Sequence, residues 1–371
     1  MKNPVRVLMV CTIMDRGGAE TLLMNYYRRM DRDKVQFDFL VHRDTSGTYD
    51  AEITEMGGKI WHLPALSPNM VSVLKYRKAI NLFFSEHPEY RIVHIHSSGV
   101  ALFVAEAARK HKIPVIIQHS HCCGLDKMDW TSPLRYICKT LTRPLLTHYF
   151  ACGHEAAVDL FGRRVAQEAT ILPNAISTVD YRYSADRYHQ IREREGWNNS
   201  FVMGNVARFS KVKNHPRQLE ILEAVLKKQP NALLVCVGDK QNDYEMIKSL
   251  AEQKGLLNHV RFTGGRNDVP DLLQGFDVFL FPSFFEGLSV AMVEAQASGL
   301  RIVASDSIAH EVAIVPELVD FVSLKESDEA WADSLLIPYE RKDVHSIICA
   351  AGYDLSVQAE RLQHFYLQHT F

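Results

Sequence analysis

Residues Asp277 to Asp306, DVFLFPSFFEGLSVAMVEAQASGLRIVASD, constrain the fold more than any other stretch of this chain. Asp277 to Phe281 is a short apolar run stopped by Pro282, the pattern of a strand buried on both faces. A loop, Ser283 to Gly287, leads into an amphipathic run from Ser289 to Ser298, and Gly299 just past it is the usual helix stop. Arg301 to Ala304 reads as a second strand. Strand, helix and strand in direct succession make a βαβ unit, which requires parallel pairing.

The same alternation runs through the chain. Val5 to Cys11, Phe37 to His42, Lys59 to Leu63, Ile92 to His96, Val115 to Gln118, Tyr149 to Cys152 and Thr170 to Leu172 read as strands, with helical spacing between several of them. After Ile176 the pattern lapses into a polar, charged stretch from Tyr181 to Trp197. A second series then begins, with strands expected at Phe201 to Val206, Ala232 to Val237, Val260 to Thr263, Asp277 to Phe281, Arg301 to Ala304 and Phe321 to Ser323. The class is therefore α/β, with two doubly wound, Rossmann-like parallel sheets. The expected domains are 1–176 and 177–354, with a C-terminal helix within 355–371 returning to the first. A length of 371 residues suits two domains of that size.

Composition narrows the function classes. The net charge of -2 argues against nucleic acid as a bulk partner. No apolar run approaches the roughly 20 residues of a membrane span, and the N-terminus lacks a signal-peptide pattern. The seven cysteines, Cys122 and Cys123 among them, are scattered and show no C-x2-C pair, which suits reduced thiols in the cytoplasm.

Two carboxylates mark the chemistry. Glu286 lies in the loop before the expected helix, and Glu294 about two turns along it. Between them the amides of Gly287, Leu288 and Ser289 occupy a helix N-terminus, a ready site for phosphate. Carboxylates beside an anion site make sense for a ligand with hydroxyls as well as phosphates, and a nucleotide-diphospho-sugar has both. Arg208 and Lys213 follow the first strand of the second half, where an open α/β sheet presents its ligand crevice. There they could stabilise a departing diphosphate, although such a pair is commonly solvated surface charge. His119 and His121 are two apart at the end of a strand and can share a side. His94 and His96 form a similar pair. Gly17 and Gly18 sit where the first strand hands over to a helix, as a tight turn or a place where a ligand meets backbone. In Leu134 to Leu146, Arg135, Lys139 and Arg143 recur beside an apolar face, so the segment is either an ordinary packed helix bent at Pro144 or one that rests on anionic lipid.

FPSFFEGLSVAMVEAQASGL resembles the E-x7-E signature of glycosyltransferase family four, retaining enzymes of the GT-B fold. RGGAET, YRRMD, FDFLV, QHSH, LFG, NAI and the R-x4-K segment fall in the order shown by its exopolysaccharide-type members. The resemblance implies two Rossmann-like domains facing a central cleft, the first on the acceptor side and the second binding the nucleotide-sugar. It implies hexosyl transfer from a UDP- or GDP-linked donor to a saccharide acceptor, often lipid-linked, for exopolysaccharide, capsule or lipopolysaccharide, in the cytoplasm or at the inner face of the plasma membrane. Arg208, Lys213, Glu286 and one of His119 and His121 would carry the reaction. Gly17, Gly18, Gly287, Leu288, Ser289 and Glu294 would bind substrate. No metal is expected, since the family lacks a D-x-D manganese motif and so does this chain. Ser289 stands where the loop often has proline, and NAIS replaces NAID, which bears on donor preference. A nucleotide-sugar epimerase of the same fold, or a silent partner-binding subunit, are the alternatives.

Overall fold

The computed structural model describes residues 3–15, 17–121, 132–240 and 243–369. Cys122 and Cys123 lie outside them; the five described cysteines are all free thiols. The chain divides into two compact units, Met1–Ala175 with Leu355–Phe371, and Ile176–Asp354.

The first unit is a seven-stranded parallel sheet in the order β3-β2-β1-β4-β5-β6-β7. Its strands are β1 Val5–Val10, β2 Val35–Val41, β3 Ile60–His62, β4 Ile92–Ile95, β5 Val115–Ser120, β6 His148–Ala151 and β7 Thr170–Ile171. Every residue of β2, β4 and β5 is buried, as expected of strands covered by helices on both faces. The C-terminal helix Leu355–Gln368 belongs to this unit and buries Leu355, Ala359, Leu362 and Tyr366 in its core.

The second unit is a six-stranded parallel sheet in the order β10-β9-β8-β11-β12-β13. Its strands are β8 Phe201–Val206, β9 Ala232–Val237, β10 Val260–Gly264, β11 Val278–Phe281, β12 Ile302–Ser305 and β13 Val319–Val322. The strand order reverses between β1 and β4 in one sheet and between β8 and β11 in the other, and ligands of such sheets bind at the carboxyl ends beside that reversal. Gly204 is required for packing in β8, because a Cβ there would lie 1.9 Å from the Phe276 ring.

Two expectations need correction. The polar stretch after Tyr181 is not a break in structure but a helix, Ala185–Glu195, started by the Ser184 side chain and stopped at Gly196 in the left-handed conformation. Its charges face the unit: Arg187 pairs with Asp271, Arg194 with Asp268, and the buried Arg192 with Asp277. Composition misleads here because every one of those partners is distant in sequence. The second correction concerns the basic stripe. The helix Ser132–Thr142 ends in a tight turn at Arg143–Leu145, as Pro144 demands. Its Lys139 is nearly buried (8% exposed), 3.3 Å from the Asp159 carbonyl and 3.7 Å from its carboxylate. The side chains that point outward are Leu134, Tyr136, Ile137 and Leu141, each more than half exposed. Arg135, Lys139 and Arg143 are thus not a free cationic face. No helix among the described residues is long and apolar enough to cross a membrane.

Candidate functional site

Adjacency of β8 and β11 brings together what the sequence separates. After β8 the chain passes Arg208, makes a short turn at Lys211–Lys213, and enters the helix His215–Lys228 through Asn214 in the left-handed conformation. After β11 it passes Pro282 and the loop to the helix Val290–Ala297. The two segments are fastened by Phe284 N to Val212 O at 2.9 Å and by Asn214 Nδ2 to Pro282 O at 3.1 Å. The Lys213 ammonium then donates to Glu286 Oε1 in a partly buried ion pair, 18% and 14% exposed, and lies 5.1 Å from the centre of the Phe281 ring. Glu286 is held from the far side too, its carbonyl accepting from Ala309 N at 3.2 Å.

Arg208 is exposed and has no ion-pair partner among the described residues. The amides of Gly287, Leu288 and Ser289 likewise have no acceptor among them. A guanidinium with no ion-pair partner among the described residues, an ammonium shared with a carboxylate and three amides without a described acceptor at a helix start suit a ligand with several negative oxygens. His215 stacks on Phe209 at 4.5 Å, and burial, then Lys213, lowers its pKa to about 4.

Glu294 lies on the helix Val290–Ala297, as the sequence placed it. It is partly buried and accepts a 2.6 Å hydrogen bond from the Tyr181 hydroxyl. Burial raises its pKa from 4.5 to about 7, opposed by the Tyr181 bond. Tyr181 is a residue that sequence reasoning missed, since nothing marks a tyrosine in a polar stretch as the partner of a glutamate so far along the chain. The raised pKa has a consequence with a definite sign. Between about pH 4.5 and 7 the unfolded chain loses this proton while the native chain keeps it, so stability falls as pH rises through that window. The full difference is about 3 kcal/mol. Glu294→Gln should remove this slope, gaining on wild type from pH 5 to pH 8 in urea denaturation; parallel pH dependences would refute the assignment.

In the first unit, β1 and β4 are neighbours and their following loops touch, with Thr12 Oγ1 and Ser97 Oγ 3.3 Å apart. Gly17 caps the helix Gly18–Arg29 in extended conformation. A Cβ on Gly18 would meet nothing within 4 Å, so no packing inside the chain calls for glycine there. His94 on β4 and His96 just past its end, with His119 on β5 and His121 just past its end, stack as a ladder, the His119 and His121 rings 4.2 Å apart. His119 is buried, whereas His121 lies just past the strand end and is less buried. Burial lowers the pKa of all four, that of His121 to about 4.

Comparison with known proteins places these features. Residues 188–342 match the family model described as Glycosyl transferases group 1, and residues 17–175 that of a Glycosyl transferase 4-like domain. The chain is 33% identical to the EpsF protein of Bacillus subtilis (strain 168), named as a glycosyltransferase, over 97% of this chain and 96% of that one. It is 24% identical to the UDP-Gal:alpha-D-GlcNAc-diphosphoundecaprenol alpha-1,3-galactosyltransferase of Escherichia coli, over 67% of this chain and 66% of the relative. In structure it resembles Anabaena Alr3699/HepE, solved in complex with UDP-glucose, with a TM-score of 0.70 at 18% identity, covering 98% of this chain and 95% of that one.

Proposed function

Because this chain belongs to the group 1 glycosyltransferases, family four of the GT-B fold, we propose that it is a retaining hexosyltransferase using a UDP-linked donor and a lipid-linked saccharide acceptor. Its relatives include proteins named for capsular polysaccharide biosynthesis and for lipopolysaccharide glucosyl transfer. The observation that carries the proposal is the Lys213–Glu286 pair, which joins the segments after β8 and β11 that also hold Arg208 and three amides with no acceptor among the described residues. UDP rather than GDP is favoured because HepE was solved with UDP-glucose and the Escherichia coli relative is named for UDP-Gal. The acceptor class follows the diphosphoundecaprenol in that relative's name.

In this reading Glu294 accepts from the ribose hydroxyls and Glu286 from the sugar hydroxyls, oriented by Lys213. Arg208, Lys213 and the amides of Gly287, Leu288 and Ser289 take up the charge that grows on the diphosphate. Of the two candidate histidines, His121 at the strand end contacts the sugar, while the deeper His119 lies beneath it. Gly17 and Gly18 let the ligand reach backbone. The acceptor hydroxyl attacks the anomeric carbon on the face the diphosphate leaves. The new C–O bond forms as the old one breaks, and the hydroxyl proton passes to a phosphate oxygen. The two-carboxylate scheme of retaining glycosidases does not suit a Glu286 already bound to an ammonium. Incubation with UDP-glucose, UDP-galactose and a polyprenyl-diphosphate GlcNAc acceptor, followed by NMR of the product, tests this. The expected product retains the donor's anomeric configuration and forms only with acceptor. Conversion of UDP-sugar without acceptor would instead indicate an epimerase, and no turnover of any donor a silent subunit.

Contact with a membrane bearing such an acceptor would rest on apolar side chains rather than basic ones. Leu134, Ile137 and Leu141 face outward, and Met70, Val71 and Leu74 on the helix Met70–Glu86 are also exposed. Met70 and Leu134 line one groove of about 620 Å³. Inserting a half-exposed leucine is worth about 1 kcal/mol. Changing Leu134, Ile137 and Leu141 together to Gln should lower vesicle binding roughly 100-fold, by about 1 kcal/mol per side chain. Equal flotation of variant and wild type on anionic vesicles would sink this.

A further inference from the structure

The histidine ladder of the first unit holds an unresolved polar problem. His94 lies on β4 with His96 just past its end, His119 lies on β5 with His121 just past its end, the two strands pair in parallel, and the four rings stack against one another. His94 Nδ1 is 2.7 Å from the Tyr366 hydroxyl, and His96 Nδ1 is 2.7 Å from His121 Nε2. That leaves His94 Nε2, His96 Nε2, both ring nitrogens of His119 and His121 Nδ1 buried with no hydrogen-bond partner among the described residues. Buried polar atoms are rarely left so. Four neighbouring side chains share the defect, and the nitrogens of three of them, His94, His96 and His119, lie close enough together to share one partner.

We propose that His94, His96 and His119 form a site for one divalent transition-metal ion, with a fourth position open to a further ligand. One ligand nitrogen from each lies within 4.8 Å of the others. A tetrahedral zinc site needs nitrogens about 3.3 Å apart for Zn–N bonds of about 2.0–2.1 Å, so on loading the nitrogens close by up to about 1.5 Å and the stacked rings turn to aim their lone pairs at one ion. The outer hydrogen bonds are those a metal-bound imidazole requires. Tyr366 and His121 each engage the Nδ1 of one ligand, which sets the Nε2 lone pair toward the ion. Tyr366 comes from the C-terminal helix, so the ion would tie that helix to β4. Three imidazoles and no carboxylate select Zn2+, Co2+, Ni2+ or Cu2+ over Mg2+ or Ca2+. Such an ion is unlike one bridging a donor diphosphate, which would take oxygen ligands. The site stands whether or not the transfer reaction proposed above is correct.

The test uses untagged full-length protein, stripped with a chelator and titrated with Co2+ and then Zn2+. One equivalent of Co2+ per chain should survive gel filtration, show the visible absorption of a low-coordinate nitrogen site, and be displaced by Zn2+. Melting temperature should rise with Zn2+ concentration. His94→Gln and His96→Gln should each lower affinity at least 100-fold. Tyr366→Phe should keep the stoichiometry while weakening binding about 10–100-fold. Wild-type protein that takes up no Co2+, or His94→Gln protein that takes it up as wild type does, overturns the proposal. The wild-type titration stands alone if a variant fails to fold, and none of these readouts involves sugar transfer.

Discussion

Lys213→Ala should lower kcat by about 10²–10³-fold while changing KM far less, the loss seen when one preorganised donor is deleted from a developing charge. In the proposed reaction the ammonium acts on both halves of the donor, since it bonds Glu286, the residue that precedes Gly287 to Ser289 in the loop. As the glycosidic bond breaks, charge accumulates on the diphosphate, so the interaction is stronger in the transition state than in the bound substrate. The pair is partly buried, and removing the lysine also strands a carboxylate, which adds a stability cost. The two effects separate experimentally. If the lysine only neutralises Glu286, the double variant Lys213→Ala/Glu286→Gln should recover melting temperature and turn over as fast as Glu286→Gln alone. If it holds the leaving group, the double variant recovers stability alone. A Lys213→Ala enzyme with near wild-type kcat would remove the residue from the reaction.

Arg192→Met should destabilise the second unit by about 3–5 kcal/mol, the usual cost of breaking a buried ion pair from one side. The guanidinium donates to Gly275 O at 3.0 Å, Asp277 Oδ2 at 2.9 Å, Trp197 O at 2.7 Å and Ser200 O. It thereby joins the helix Ala185–Glu195 to the residues that precede β8 and β11, the two strands whose ends carry Arg208, Lys213 and Glu286. Lysine would not replace it, because three carbonyls and a carboxylate need the planar fork of donors. Trp197 and Trp331, both buried in this unit, report its unfolding by fluorescence in urea. A midpoint shift worth less than about 1 kcal/mol would show that the neighbouring backbone carries the helix without the arginine.

The sequence by itself determined the fold class and located the reactive loop. Continuous apolar runs such as Ala232–Val237 and Val278–Phe281, each bounded by turn residues, read as strands buried on both faces, which means parallel sheets under helices. The loop with Glu286 was legible because its meaning is local: a strand end, a turn and a helix start set side by side along the chain. Tertiary structure alone decided the pairings. Lys213 meets Glu286 because β8 lies beside β11, and strand order leaves no trace in either segment's own periodicity. Each H-x-H pair was visible on its own strand, but only β4 beside β5 stacks the two pairs into one cluster and brings Tyr366 to it. Charge was read worst of all. Arg192 and Lys139 look like solvated residues in sequence and are buried in the structure, because the distant carboxylates Asp277 and Asp159 offset the cost of removing them from water. Periodicity reports which face a residue occupies, and only the fold supplies what that face meets.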